Sequence, residues 1–222
     1  NFSRKYLKNP NINSNINSNI KSNINSKSIF NSNPMKNSNN NNNKSNEILD
    51  DDIISIKAKK AYDNKQIKES LFYYAKLVQR PESKTNWEYN FMYGKLNLLF
   101  NINLVEEYLL KSINIKQDVK NILELAKFKH FSQDFRSSQH WYKVGLKKFP
   151  DSNKIHFNYA SLLVDMHNFN TAYHHFNISL KIKPLFWRCN WYMGNLLAHL
   201  GKAIDGEGKI ALAIKYCKAP SM

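Results

Sequence analysis

The sequence repeats itself at a spacing of 34 residues. Leu146, Lys147, Lys148, Phe149 and Pro150 return as Leu180, Lys181, Ile182, Lys183 and Pro184, and Ala126 returns as Ala160 and then as Gly194. A fixed period of this length marks stacked helical hairpins, in which each unit buries its apolar face against its neighbours. Such arrays present extended binding surfaces, so the period constrains the class of function as well as the fold.

From residue 51 onward the apolar spacing is helical. Ile54, Ala58, Ala61 and Tyr62 form one stripe, and Ile67, Leu71, Tyr74, Leu77 and Val78 form the next after the polar break Asp63, Asn64, Lys65. Offsets of three and four place each set on one helix face. The pair reads as an αα-hairpin ending near Pro81, because proline lacks the amide donor and clashes with the preceding turn. The acidic cluster Asp50, Asp51 and Asp52 precedes the first stripe, where negative side chains favour a helix start, so the folded part is expected to begin there. Small residues at fixed places mark where the two helices of a hairpin cross closely, and bulky ones fill the space between hairpins. One hairpin buries too little apolar surface to offset its backbone entropy, so the hairpins must stack.

These residues resemble the tetratricopeptide repeat, the TPR family. In the unit counted from Asn153 the resemblance rests on Ala160, Leu163, Phe169, Ala172, Phe176, Ser179 and Pro184; in the unit counted from Val119 it rests on Ile122, Ala126, Phe135, Ser138, Tyr142, Gly145 and Pro150, with Lys129 departing from the pattern. The unit from Asp51 fits at Ala58, Ser70 and Tyr74 but carries Leu77 where a small residue belongs, and the unit from Trp187 fits at Gly194, Leu197, Gly206, Ile210 and Ala213. The unit between them has helical spacing through Tyr89, Tyr93, Leu96, Ile102, Val105, Leu109 and Ser112, with Gly94 as its small residue and no closing proline. The resemblance implies an all-α fold: an α-α superhelix, or right-handed solenoid, of about five TPR-like hairpins near 51–84, 85–118, 119–152, 153–186 and 187–220, within a repeat domain over 47–222.

The resemblance also implies a function. TPR-like solenoids hold a peptide or helix of a protein partner on a concave face lined by the first helix of each hairpin. Carried onto this sequence, that face contains Lys59, Tyr62, Asn90, Asn97, Lys127, His130, Phe131, Phe157, Arg188, Trp191 and Asn195, together with Ser55, Lys154, Ser161 and His199. Cations, amides and aromatics in this mixture suit an extended peptide: amides meet its backbone, cations its carboxylates, aromatics its apolar side chains. The variant that clamps the terminal carboxylate of chaperones fits poorly. Asn90 and Lys120 match it, but Ser55 and Lys59 occupy the first two positions, and Glu124 stands where an arginine is expected and would repel a carboxylate.

No catalytic constellation accompanies the repeat. The seven histidines are scattered, without metal-ligand spacing, and the adjacent His174 and His175 point in different directions on a helix. No glycine-rich phosphate loop is present, and a hairpin turn accounts for Gly201. Cys189 and Cys217 fall at the open ends of one hairpin, where they are either two reduced thiols or a disulfide. A non-enzymatic scaffold without cofactor or metal is therefore the leading reading; an RNA-associated organellar helical-repeat protein, or the repeat region of a larger enzyme, are the others. The last unit has no polar helix to cover Ile204, Ile210, Leu212 and Ile214, which raises self-association, docking on a partner or further repeats.

Composition separates the two ends of the chain. Residues 1–46 hold 18 Asn, 9 Ser and 7 Lys or Arg with no acidic residue, and such a segment cannot bury enough apolar surface to order itself, so a disordered low-complexity tail is expected. Of the formal net charge of +16, +7 comes from residues 1–46 and +9 from 47–222. This excess would attract acidic peptides, nucleic acid or an anionic membrane surface, although a codon bias toward Asn, Lys, Ile, Phe and Tyr yields the same excess with no such partner. No apolar run is long enough to span a membrane, and no secretory core is present. An intracellular location, cytoplasmic or nuclear, is the expectation; the basic, Ser-rich start leaves mitochondrial targeting open.

Overall fold

The computed structural model describes residues 43–81 and 85–217, which form ten α-helices and no strand. The helices are α1 (Asn43–Asp63), α2 (Ile67–Val78), α3 (Trp87–Asn97), α4 (Ile102–Ile115), α5 (Val119–Phe131), α6 (Phe135–Lys148), α7 (Asn153–Asp165), α8 (Phe169–Ile182), α9 (Trp187–His199) and α10 (Ala203–Cys217). They pair as five hairpins, α1 with α2 through α9 with α10, in agreement with the all-α, TPR-like reading. The expected disordered tail falls mostly on 1–42, outside the described residues; 43–46 belong to α1. Helix α1 starts at Asn43, so the cluster Asp50 to Asp52 lies inside the helix instead of at its N-terminus.

The chain divides into two compact units, with α1 to α4 in one and α5 to α10 in the other. In the first, Ile54, Ala58, Tyr74, Leu77 and Leu96 make the core. Leu77, out of pattern as a large residue, is fully buried there. Gly94 lets α3 approach α4: a Cβ on it would lie 3.1 Å from the Leu109 backbone nitrogen. Arg80 forms an ion pair with Asp51.

In the second unit the core runs through Ala126, Tyr142, Ile155, Ala160, Leu163, Ala172, Phe176, Met193 and Leu197. Its small residues sit where the repeat requires them. A Cβ on Gly194 would lie 2.6 Å from Ile210 Cγ1 and 2.8 Å from the Gly206 carbonyl oxygen, so α9 and α10 touch backbone to backbone. The serines at the small positions also join the paired helices by hydrogen bonds. Ser138 Oγ donates to the Ala126 carbonyl at 2.8 Å, and Ser70 Oγ in the first unit donates to Ala58 at 2.9 Å. Ser179 Oγ donates to Asn153 at 3.0 Å and Ser112 Oγ to Trp87 at 2.9 Å.

Turn chemistry sets the helix limits. Lys65, Gln133, His167 and Gly201 have positive φ values of 61°, 64°, 59° and 77°. Each follows the first helix of a hairpin, and the next amide closes back over the turn, as in Asp134 N to Lys129 O at 3.0 Å and Asn168 N to Leu163 O at 2.8 Å. This is the Schellman closure of a helix C-terminus. Asp134, Ser152 and Asn168 then cap the following helices by accepting amide hydrogens, and Asp118 with Asn121 forms a full capping box. The α3–α4 connection differs: Phe100 N and Asn101 N both return to the Asn97 carbonyl, and no residue there has positive φ. Helix α3, at 11 residues, is shorter than the 13-residue first helices of the later hairpins, and the connection after it is one residue longer, which shifts the repeat positions between 85 and 118.

Cys189 is buried with its Sγ 3.6 Å from the Phe176 carbonyl oxygen, whereas Cys217 is exposed; both thiols are free. Burial pushes the Cys189 thiol up to about 12, which keeps it protonated and unreactive. Ile204, Leu212 and Ile214 of α10 are exposed, and Ile210 is half-buried over Gly194.

Candidate functional site

Four repeat positions generate the most coherent polar surface. In each hairpin of the second unit, positions 2, 6, 9 and 13 of the first helix lie on one face: Lys120, Glu124, Lys127 and Phe131 on α5; Lys154, Asn158, Ser161 and Asp165 on α7; Arg188, Tyr192, Asn195 and His199 on α9. Helix α7 packs against both α5 and α9, so the three strips are neighbours.

Side-chain contacts join them. His130 Nε2 donates to Asp165 Oδ2 at 2.9 Å, linking α5 to α7, and its ring stacks beside exposed Phe131. Lys127 Nζ lies 3.2 Å from Glu124 Oε2, so its charge is offset on its own helix. Tyr192 is held between α7 and α9: burial pushes its hydroxyl up to about 12, Asp165 adds to the effect, and Arg188 and a hydrogen bond with Ser161 oppose it. Asn195 Nδ2 donates to the Trp191 carbonyl at 2.9 Å, which leaves its side-chain oxygen as an acceptor. The Arg188 guanidinium lies 5.3 Å from the Trp187 ring centroid and is exposed. Phe131 is 60% exposed and Trp191 37%.

Of the remaining candidates, Phe157, Asn90, Asn97 and Tyr62 are engaged within the fold. Phe157 is 8% exposed beneath Phe186 and Tyr192, whose rings meet it edge-on at 5.0 and 5.2 Å. Trp191 occupies the same repeat position on α9 and is exposed there, so of the two only Trp191 offers a ring at the surface. In the first unit Asn90 and Asn97 are buried, and their amides donate to Asn86 O at 3.0 Å and Tyr93 O at 2.8 Å. The Tyr62 hydroxyl accepts from Lys95 Nζ at 2.9 Å, and Lys59 is exposed. Asp165 and Tyr192 belong to the same strips, although the repeat pattern alone did not single them out. Both fall at positions 13 and 6, which the repeat itself assigns to the same face as Phe131 and Glu124.

Among the described residues no group of three or more His, Cys, Asp or Glu side chains could hold a metal ion. No helix among them is long and apolar enough to cross a membrane.

The fold and this surface define a TPR-like helical-repeat protein. Among solved structures the chain is similar to MamA, at 13% identity and a TM-score of 0.61 over 78% of this chain and 97% of that one. It is likewise similar to the MamA RS-1 ArsTM double mutant, at 6% identity and a TM-score of 0.64 over 76% of this chain and 94% of that one. At these identities the likeness establishes the fold. No family model matches the sequence, and no curated protein matches it at a significant level.

Proposed function

We propose that this chain is a non-enzymatic scaffold that holds an extended peptide or short helix of a protein partner on the first-helix strips of α5, α7 and α9. The observation that carries the reading is the exposure of Phe131 on α5 and Trp191 on α9, the two helices that pack against α7 with its polar Ser161 and Asp165. Aromatic anchors with donors and acceptors between them match the composition of binding hot spots. Arg188 supplies a guanidinium for a carboxylate of the partner, and the Lys127–Glu124 pair leaves little net charge at the other edge.

The test is affinity capture on the full chain from nuclease-treated lysate, compared with a Phe131→Ala/Trp191→Ala variant. A partner held by this surface should fall about tenfold or more in the variant, because truncating one hot-spot aromatic costs about 2 kcal/mol. Equal recovery of every protein by both forms would remove the proposal.

A further inference from the structure

The second helices of the same unit carry a different surface. On α6, Arg136, His140, Lys143 and Lys147 are all exposed and recur at offsets of four, three and four, so they form one stripe along the helix. At 1.5 Å per residue the stripe is about 16 Å long. On α8 the equivalent positions, 34 residues later, are Asn170, His174, Asn177 and Lys181. Neither helix contains an acidic residue. Among the described residues no ion pair involves Arg136, Lys143, Lys147 or Lys181, whereas the nearest carboxylate in sequence, the α6 cap Asp134, lies 3.6 Å from Lys129. Both helices pack against α7 and leave these stripes exposed, except for the half-buried Asn177.

We infer that this outward face of α6 and α8 binds the sugar-phosphate backbone of single-stranded nucleic acid. Unpaired cations along a helix complement a line of phosphates, and each phosphate neutralised releases a counterion. Two further features select a nucleic acid over an acidic protein or an anionic membrane. The α6 stripe has no exposed large apolar residue and α8 exposes Tyr173 and Ile182 alone among its large hydrophobics, nine residues apart, whereas a protein interface needs a cluster of apolar anchors and a membrane-lying helix an apolar face. The amides of Asn170 and Asn177 supply donors suited to phosphate and sugar oxygens, and Tyr173, 37% exposed beside them, offers a face on which a base can stack. The surface is distinct from the peptide-binding strips and shares no residue with them.

The experiment is fluorescence anisotropy of a labelled oligouridine titrated with the full chain at salt concentrations from about 50 to 200 mM. An Arg136→Gln/Lys143→Gln/Lys147→Gln/Lys181→Gln variant is compared with a Lys57→Gln/Lys60→Gln/Lys68→Gln/Lys76→Gln variant, which loses the same charge from exposed sites in the other unit. With about 0.7 counterions per single-strand phosphate, removal of four contacts should make the slope of log affinity against log salt shallower by about 3 and weaken binding at low salt at least tenfold. The control should keep most of the affinity and slope. Should the quadruple variant fail to fold by circular dichroism, Arg136→Gln/Lys147→Gln should give about half the change in slope, counting two contacts for four. Any one of three results would overturn the inference: no association with oligouridine at low salt, equal loss in the control, or polyglutamate or phosphatidylserine vesicles competing as well as unlabelled oligouridine.

Discussion

His156 and His175 show how a side chain pair separated by 19 residues escapes a sequence reading. Their adjacent numbering makes His174 and His175 look like the pair of interest, yet His174 is exposed while His175 turns inward to His156, with Nδ1 to Nδ1 at 2.9 Å. His156 Nε2 donates to the Pro150 carbonyl at 2.8 Å, which leaves its Nδ1 as the acceptor and requires His175 Nδ1–H to donate. Protonating His156 removes that acceptor and sets two Nδ1–H donors against each other. Both groups consequently titrate below the usual histidine value. Burial lowers His156, with Pro150 opposing and His174 reinforcing; burial, then His156 and His174, bring His175 down to about 4. A depressed histidine contributes stability that is present above its unfolded value near 6.5 and lost as pH falls toward the folded value. The urea midpoint of the chain should therefore hold near neutral pH and decline from about pH 6.5 to pH 4, and a His175→Asn variant should decline less over the same window. Identical pH profiles for the two proteins would show that the pair does not couple to folding.

At the scale of helices and hairpins the sequence was most legible where steric rules act alone. Ala126, Ala160 and Gly194 are readable as close-approach positions because only a small side chain fits there, and the structure places each in the core. Ser70 and Ser138 are readable as small, but their hydroxyl bonds to the Ala58 and Ala126 carbonyls depend on where the paired helix ends up, which a one-dimensional pattern does not contain. The same limit applies to the polar strip, since Asp165 and Tyr192 gain a role only through His130 and Ser161 on neighbouring helices. Three of the four glycines of the last hairpin separate steric need from mere occurrence. Gly194 faces Ile210 and the Gly206 carbonyl, Gly201 holds a left-handed turn, and Gly208 has nothing within 4 Å of an added Cβ. Gly194→Ala should destabilise by about 1 to 3 kcal/mol through overpacking against backbone that cannot yield. Gly208→Ala lies in a helix with open space and should stabilise by about 0.5 to 1 kcal/mol. Urea denaturation of the two variants checks the pair, and the argument fails if they shift the midpoint in the same direction.

Viewed as a whole, the chain assigns different amounts of repeat to its two units. The unit of 118–217 contains three hairpins and a core cluster drawn entirely from its own residues, from Ala126 to Leu197. The unit of 43–117 contains two hairpins, one of them with the irregular α3–α4 connection, around the smaller cluster of Ile54, Ala58, Tyr74, Leu77 and Leu96. Helical repeats gain stability from nearest-neighbour interfaces, and about three are needed before those interfaces outweigh the entropy of ordering each hairpin. A fragment of residues 118–222 should therefore fold alone, with a helical circular-dichroism spectrum and a cooperative urea transition. A fragment of residues 43–117 should be markedly less stable under the same conditions, because its single hairpin-to-hairpin interface must offset the ordering of both hairpins. If the 118–222 fragment is unfolded in the absence of denaturant, its three hairpins do not make a self-sufficient core and the division into units carries no energetic meaning.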